Sequence, residues 1–210
     1  MPTVEQARAW YPEYDAVHGF DHILRVLKLA ERLAAAEGAD PEIVRAAVLL
    51  HDASGGETGS AQRKEHQYLS ADFAAEVLAA EGWAAERIAA VQHCIVAHRF
   101  RGSEHPQTIE AQVLFDADKL DVIGAFGVLR SIAYDVSVGE PVFAEPSQTF
   151  LETGEWEPGE PHSSYHEFLF KLKKIKDRLY TATAKEIAAG RHQFMAEFFA
   201  QLLAEHRGER

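Results

Sequence analysis

The sequence predicts an all-α fold, a single compact multi-helix domain across residues 1–210. Apolar residues recur at intervals of three and four along almost the whole chain, the period of one face of an α-helix. Glycines and an Asp-Pro pair fall where such stretches should stop and start. Hydrophobic residues make up 47% of the chain, enough for a full core, and no apolar run reaches the roughly 18 residues of a membrane span.

Each element follows from these signals. Ile23, Val26, Leu27, Ala30, Leu33 and Ala34 line one face, with Arg25, Lys28, Glu31 and Arg32 between them, so a helix runs from Ile23 to Ala36 and stops at Gly38. Asp40-Pro41 offers an N-cap and a proline at the first helical position, so the next helix runs from Pro41 to about His51. Residues 53–66, rich in Gly and Ser and without a period, read as a loop. Helical spacing resumes from Tyr68 to Ala80, ends at Gly82, and returns from Ala84 to about Arg99; Arg101 to Gln107 is a second polar loop. Ile109 to Val122 is predicted helical, after which Gly124 and Gly127 permit close helix approach. Val138 to Pro161, punctuated by proline and glycine, reads as a lid or extended surface loop. Two C-terminal helices, His162 to Leu179 and Ala182 to His206, complete the chain.

The chemistry concentrates at His51-Asp52, which closes the apolar run AAVLLHD. Neighbouring helical side chains diverge by only about 100°, so an imidazole and a carboxylate in sequence can reach one cation. An aspartate at a helix C-terminus faces the negative end of the macrodipole, and a bound cation would offset that cost. His22 upstream and Asp118 downstream have the chemistry to complete a mixed nitrogen and oxygen site between helices. Such a set suits Mn²⁺, Mg²⁺, Fe²⁺, Ni²⁺ or Zn²⁺. In DADKLD, Asp118 and Asp121 share a helix face and Asp116 lies on another, where capping or ion pairing is expected.

The order H…HD…D, carried by HGFDHILRV, AAVLLHD and LFDADKLDVIGAFGVLR, resembles the HD-domain metal-dependent phosphohydrolase superfamily, stand-alone bacterial members in particular. The resemblance extends from Val17 to Glu205. It implies that His22, His51, Asp52 and Asp118 hold one divalent cation, with Asp52 also the proton acceptor. It puts Arg25 in the same cleft and His18 on the loop before it, placed to touch phosphate or protonate the leaving group. Asp121 would orient water or anchor a ligand histidine. In two-metal members, two histidines between the HD pair and the last Asp hold a second cation; here His66 with His93 or His98 are the candidates. With one metal, His66 and His98 would contact substrate instead, alongside Arg25, Lys64, Lys119 and Arg130. The implied activity is hydrolysis of a phosphate ester or phosphoanhydride, most often in a nucleotide, by metal-activated water. The alternatives are a di-iron HD-fold oxygenase and a non-catalytic ligand-sensing module.

A formal charge of -12 argues against gripping a nucleic-acid polymer, so the expected partner is a small phosphorylated molecule, with a homo-oligomer left open. The chain reads as cytoplasmic, with no membrane association and no leader pattern, and the single Cys94 can form no internal disulfide. His105, His162, His166, His192 and His206 read as loop or surface histidines.

Overall fold

Helix punctuation sets the architecture. The structure, a computed structural model, describes residues 1–11, 19–54, 65–99 and 104–210. Among these residues ten α-helices and a 3-10 helix form, and no strand. They divide into two compact units: 1–121 with 179–184, and 122–178 with 185–210.

In the first unit, α1 (Val4–Arg8) opens on a capping box, in which Thr3 and Gln6 satisfy each other's backbone N–H. α2 (Phe20–Glu37) starts three residues before its predicted head and stops where Gly38 takes φ +74°, its N–H bonded to the Ala34 carbonyl. The Asp40 side chain accepts from Glu42 and Ile43 N–H at 2.9 and 3.2 Å, starting α3 (Pro41–Leu50) as the Asp-Pro pair predicts. α3 is buried nearly all round, including every residue from Ala46 to Leu50, as befits a central helix. Burying each of its leucines contributes about 1.5–3 kcal/mol. α4 (His66–Ala80), α5 (Ala85–Ala97) and α6 (Ile109–Asp121) pack around it and α2. His66 thus opens a helix, where a loop was expected to extend, because His66, Ser70 and Ala74 form a buried stripe that extends the packed face by a turn.

The aspartate set aside at the sequence level, Asp116, is wholly buried. It accepts from the Tyr180 and Thr181 N–H groups at 2.9 and 2.7 Å and from the Thr181 hydroxyl at 2.7 Å. Thr181 in turn accepts from Ala184 N–H, capping α10 (Ala182–His206).

In the second unit, α7 (Ala125–Ser137) begins one residue after Gly124. A Cβ on Gly127 would stand 2.4 Å from the Val122 carbonyl oxygen, so only glycine fits that turn. The segment 138–161 is not the helix-free loop the sequence suggests. It holds α8 (Gln148–Thr153), capped by Ser147 and ended by Gly154 at φ +77°. Glu160 gathers this segment, accepting from Ser147 N–H, Ser147 Oγ and Glu157 N–H at 2.7, 2.8 and 2.9 Å. Those bonds, the Ser147 N–H first, push its carboxyl down to about 2. The helix expected over His162 to Leu179 is broken into α9 (Ser164–Phe170) and the 3-10 helix Leu172–Arg178, with Lys171 at φ -124° between them. His166, expected at the surface, is fully buried, between Ser163 Oγ at 3.0 Å and Glu160 at 3.2 Å. Its ring stacks on Trp156.

Candidate metal centre

The first unit converges its histidines through their Nε2 atoms. His51 caps the C-terminus of α3, where its Nδ1 donates to the Val48 carbonyl at 2.8 Å. A carbonyl can only accept, so the proton sits on Nδ1 and the Nε2 lone pair is left facing the site. That Nε2 is buried and has no hydrogen-bond partner among the described residues. Burial also pushes the His51 pKa below its ordinary value, keeping the ring neutral.

His98 repeats the device at the end of α5: its Nδ1 donates to the Ile95 carbonyl at 2.5 Å. Burial, reinforced by His51, pushes its pKa down to about 3. His22, on the first turn of α2, is held by a carboxylate instead, Asp121 Oδ2 at 2.7 Å from Nδ1. Its Nε2 faces Asp118 Oδ1 at 3.3 Å. Burial alone would raise the Asp118 carboxyl; Lys119, His22 and His51 overrule it and hold the group well below the usual carboxylate range.

These side chains form two groups of potential ligands: His22, His51 and Asp118, and His51, Asp52 and His98, each with its ligand atoms within 4.8 Å of one another. His51 belongs to both groups, and Asp52, its neighbour in sequence, falls in the second. Asp52 leans the other way, its Oδ1 lying 3.4 Å from His66 Nε2 and 3.9 Å from His98 Nε2. The two Nε2 atoms of His66 and His98 approach to 3.3 Å. The donor set fits a divalent cation: neutral imidazoles with their far nitrogens pinned, and carboxylates facing lone pairs.

The other expected residues take different partners. Arg25 turns to Asp121 (Nε to Oδ1, 2.8 Å; Nη2 to Oδ2, 3.1 Å) and to Asp21 at 2.5 Å, where a substrate contact was expected. The nearest anions are its own helix neighbour and a buried carboxylate, and their bonds outweigh burial and keep its pKa above the ordinary value. Asp121 anchors His22, one of the two roles expected of it, and also takes bonds from Arg25. Lys119 Nζ pairs with Asp118 Oδ2 at 2.5 Å. His93 is not in the cluster's hydrogen bonds; it accepts from the Gln107 N–H at 3.1 Å. Arg130 is a buried residue of α7 in the second unit. His18 and Lys64 lie outside the described residues.

Sequence reasoning missed Ser70, whose Oγ donates to the Ser54 carbonyl at 2.6 Å and accepts from its N–H at 3.2 Å, tying the turn after Asp52 to α4. No local signal marks such a pair. The structure selects His98 over His93 because Val91, Cys94 and Ile95 form a buried stripe of α5 that continues at i+7 to His98.

Comparison with known proteins agrees with this construction. The HD domain family model matches residues 19–123, which spans α2 to α6. YpgQ of Bacillus subtilis is 31% identical over 96% of this chain and 93% of its own length. The crystal structure of Bacillus subtilis YpgQ in complex with ADP superimposes with a TM-score of 0.74 at 30% identity, covering 97% of each chain. An HD-superfamily hydrolase from Bacillus thuringiensis superimposes with a TM-score of 0.70 at 27% identity, covering 97% of this chain and 96% of its own. A helical unit that turns His and Asp side chains from five helices toward one another, matched along its sequence and backbone, places this chain in the HD-domain family, with the fold of the HD-superfamily hydrolases.

Proposed function

We propose that this protein is a divalent-metal-dependent phosphohydrolase that cleaves a phosphate ester or phosphoanhydride in a nucleotide. The observation that carries the reading is the orphaned Nε2 of His51, buried and fixed in the ligand-competent tautomer by Val48. His22, His51 and Asp118 would hold the cation, with Asp52 beside them. When bound, the cation would lower the pKa of water and polarise a phosphoryl oxygen. Asp121 keeps the proton of His22 on Nδ1, and Arg25 holds Asp121 in place with a forked pair of bonds. Asp52 accepts the proton of the attacking water, and His66 and Lys119, which pair with Asp52 and Asp118, bind phosphate oxygens in this reading. The ADP bound by YpgQ supports a nucleotide as the substrate class.

A second reading, a centre of two cations, is favoured by one observation: His98 and Asp52 form a ligand group that shares His51 with the first, with His66 alongside. It keeps the hydrolase and also admits the di-iron oxygenase. Metal analysis of freshly purified protein, followed by anaerobic assay of phosphate and pyrophosphate release from nucleoside di- and triphosphates with Mn²⁺ or Mg²⁺, separates them. Release without oxygen is expected. Two irons per chain, oxygen uptake and no release from any nucleotide would overturn the hydrolase.

A further inference from the structure

Helix α7 is built inside out. Between Val122 and Gly139 the charged residues are Arg130 and Asp135, and both are buried, at 8% and 1% exposure. Val128 is buried, but four other large apolar side chains of this stretch turn outward: Phe126 is 49% exposed, Leu129 63%, Val136 56% and Val138, just past the helix, 54%. At 100° per residue Phe126, Leu129, Ala133 and Val136 fall within about 80° of arc, one uncharged apolar stripe along the helix. Phe126 also borders a cavity of about 290 Å³ with Ile123, Gly124, Arg191 and the 46%-exposed Phe194 of α10.

We infer that this face binds a second copy of the chain, α7 against α7 in an antiparallel, two-fold arrangement. Three features point to a copy. The first is charge: each chain carries -12, so two copies repel wherever their acidic surfaces meet, and the α7 stripe is free of charge. The second is shape. A two-fold axis at the level of Ser131 sets Phe126 opposite Val136 of the second copy and Leu129 opposite its Ala133, apolar against apolar at both levels and large against small at the second, so the stripe is complementary to itself. The same register brings Val136 of the second copy to the end of α7 where Phe126 and Phe194 border the cavity. The third is area. Phe126, Leu129, Val136 and Phe194 expose on the order of 400 Å² of apolar side chain, about half of the roughly 800 Å² per partner of a standard interface.

The test is sedimentation velocity on the full chain at 1–100 μM (about that range suffices for a micromolar dimer), with circular dichroism as the control for folding. Wild type should sediment at twice the 23.3 kDa chain mass. Leu129→Glu, which places a carboxylate in both halves of the contact, should weaken self-association roughly a hundredfold or more with helicity unchanged. Because that variant could fail to fold, the register is tested separately with Phe126→Cys/Val136→Cys. The two positions are ten residues apart on one helix, about 15 Å, so mild oxidation should give a covalent dimer and no internal disulfide. A wild type that stays monomeric, whatever other protein it captures, overturns the proposal. So does a folded Leu129→Glu variant that still dimerises, or a double-cysteine variant that gives no covalent dimer.

Discussion

Replacing Asp121 by asparagine probes the positioning of His22 without leaving a void, since the two side chains are nearly isosteric. Asp121 is 1% exposed, accepts from His22 Nδ1 at 2.7 Å and takes a forked pair of bonds from Arg25 at 2.8 and 3.1 Å. Hydrogen bonds to an ionised partner are worth about 1.5–3 kcal/mol against about 1 for neutral ones. Removing the charge therefore weakens the His22 contact by about 0.5–2 kcal/mol. An asparagine amide can also donate to Nδ1, which would move the imidazole proton to Nε2, the nitrogen that faces Asp118. Either route predicts a loss of about 10–100-fold in cation affinity, or about 1.4–2.7 kcal/mol. Isothermal titration of the apo protein with Mn²⁺ measures the affinity, and nitrogen-15 NMR of the imidazole reports the tautomer, Nδ1–H in the wild type. A variant that binds Mn²⁺ within twofold of wild type and keeps the Nδ1–H tautomer would refute the role given to Asp121.

Asp52→Ala is expected to abolish nucleotide hydrolysis while leaving the circular dichroism spectrum unchanged; near-wild-type turnover with metal present would sink the assignment of the proton acceptor. Asp116→Ala strips the acceptor from two buried N–H groups and one hydroxyl, so urea unfolding should show a loss of about 3–5 kcal/mol, against less than 1 kcal/mol if those groups find other partners. In metal-free protein, acidification should destabilise through His98. Its folded pKa of about 3 lies below the ordinary 6.5, so the folded state excludes a proton that the unfolded chain takes up, and stability present above pH 6.5 is lost as pH falls toward 3. The loss reaches about 2 kcal/mol by pH 5. His98→Gln should flatten that part of the profile, and an unchanged profile would show that His98 does not carry it.

What the sequence determined is whatever short-range physics decides. Gly38 and Asp40-Pro41 place the boundary between α2 and α3 because a left-handed C-cap and a fixed proline φ act within a turn or two. The apolar period of α2 and the position of His51-Asp52 at the end of α3 follow from the same local rules. Tertiary packing decided the rest. His66 and His98 are 32 residues apart, yet their Nε2 atoms meet at 3.3 Å because α4 lies along α5. The spacing of His93 and His98 alone cannot say which one faces inward; the face that α5 turns to α3 selects His98 and leaves His93 on the Gln107 N–H. Likewise Asp116, Asp118 and Asp121 read alike as carboxylates on one short helix. Their partners, Thr181, Lys119 and His22, give them a cap, a candidate ligand and a histidine anchor in turn. A carboxylate's role is set by the charges and donors within about 4 Å of it, and those come from parts of the chain up to 99 residues away.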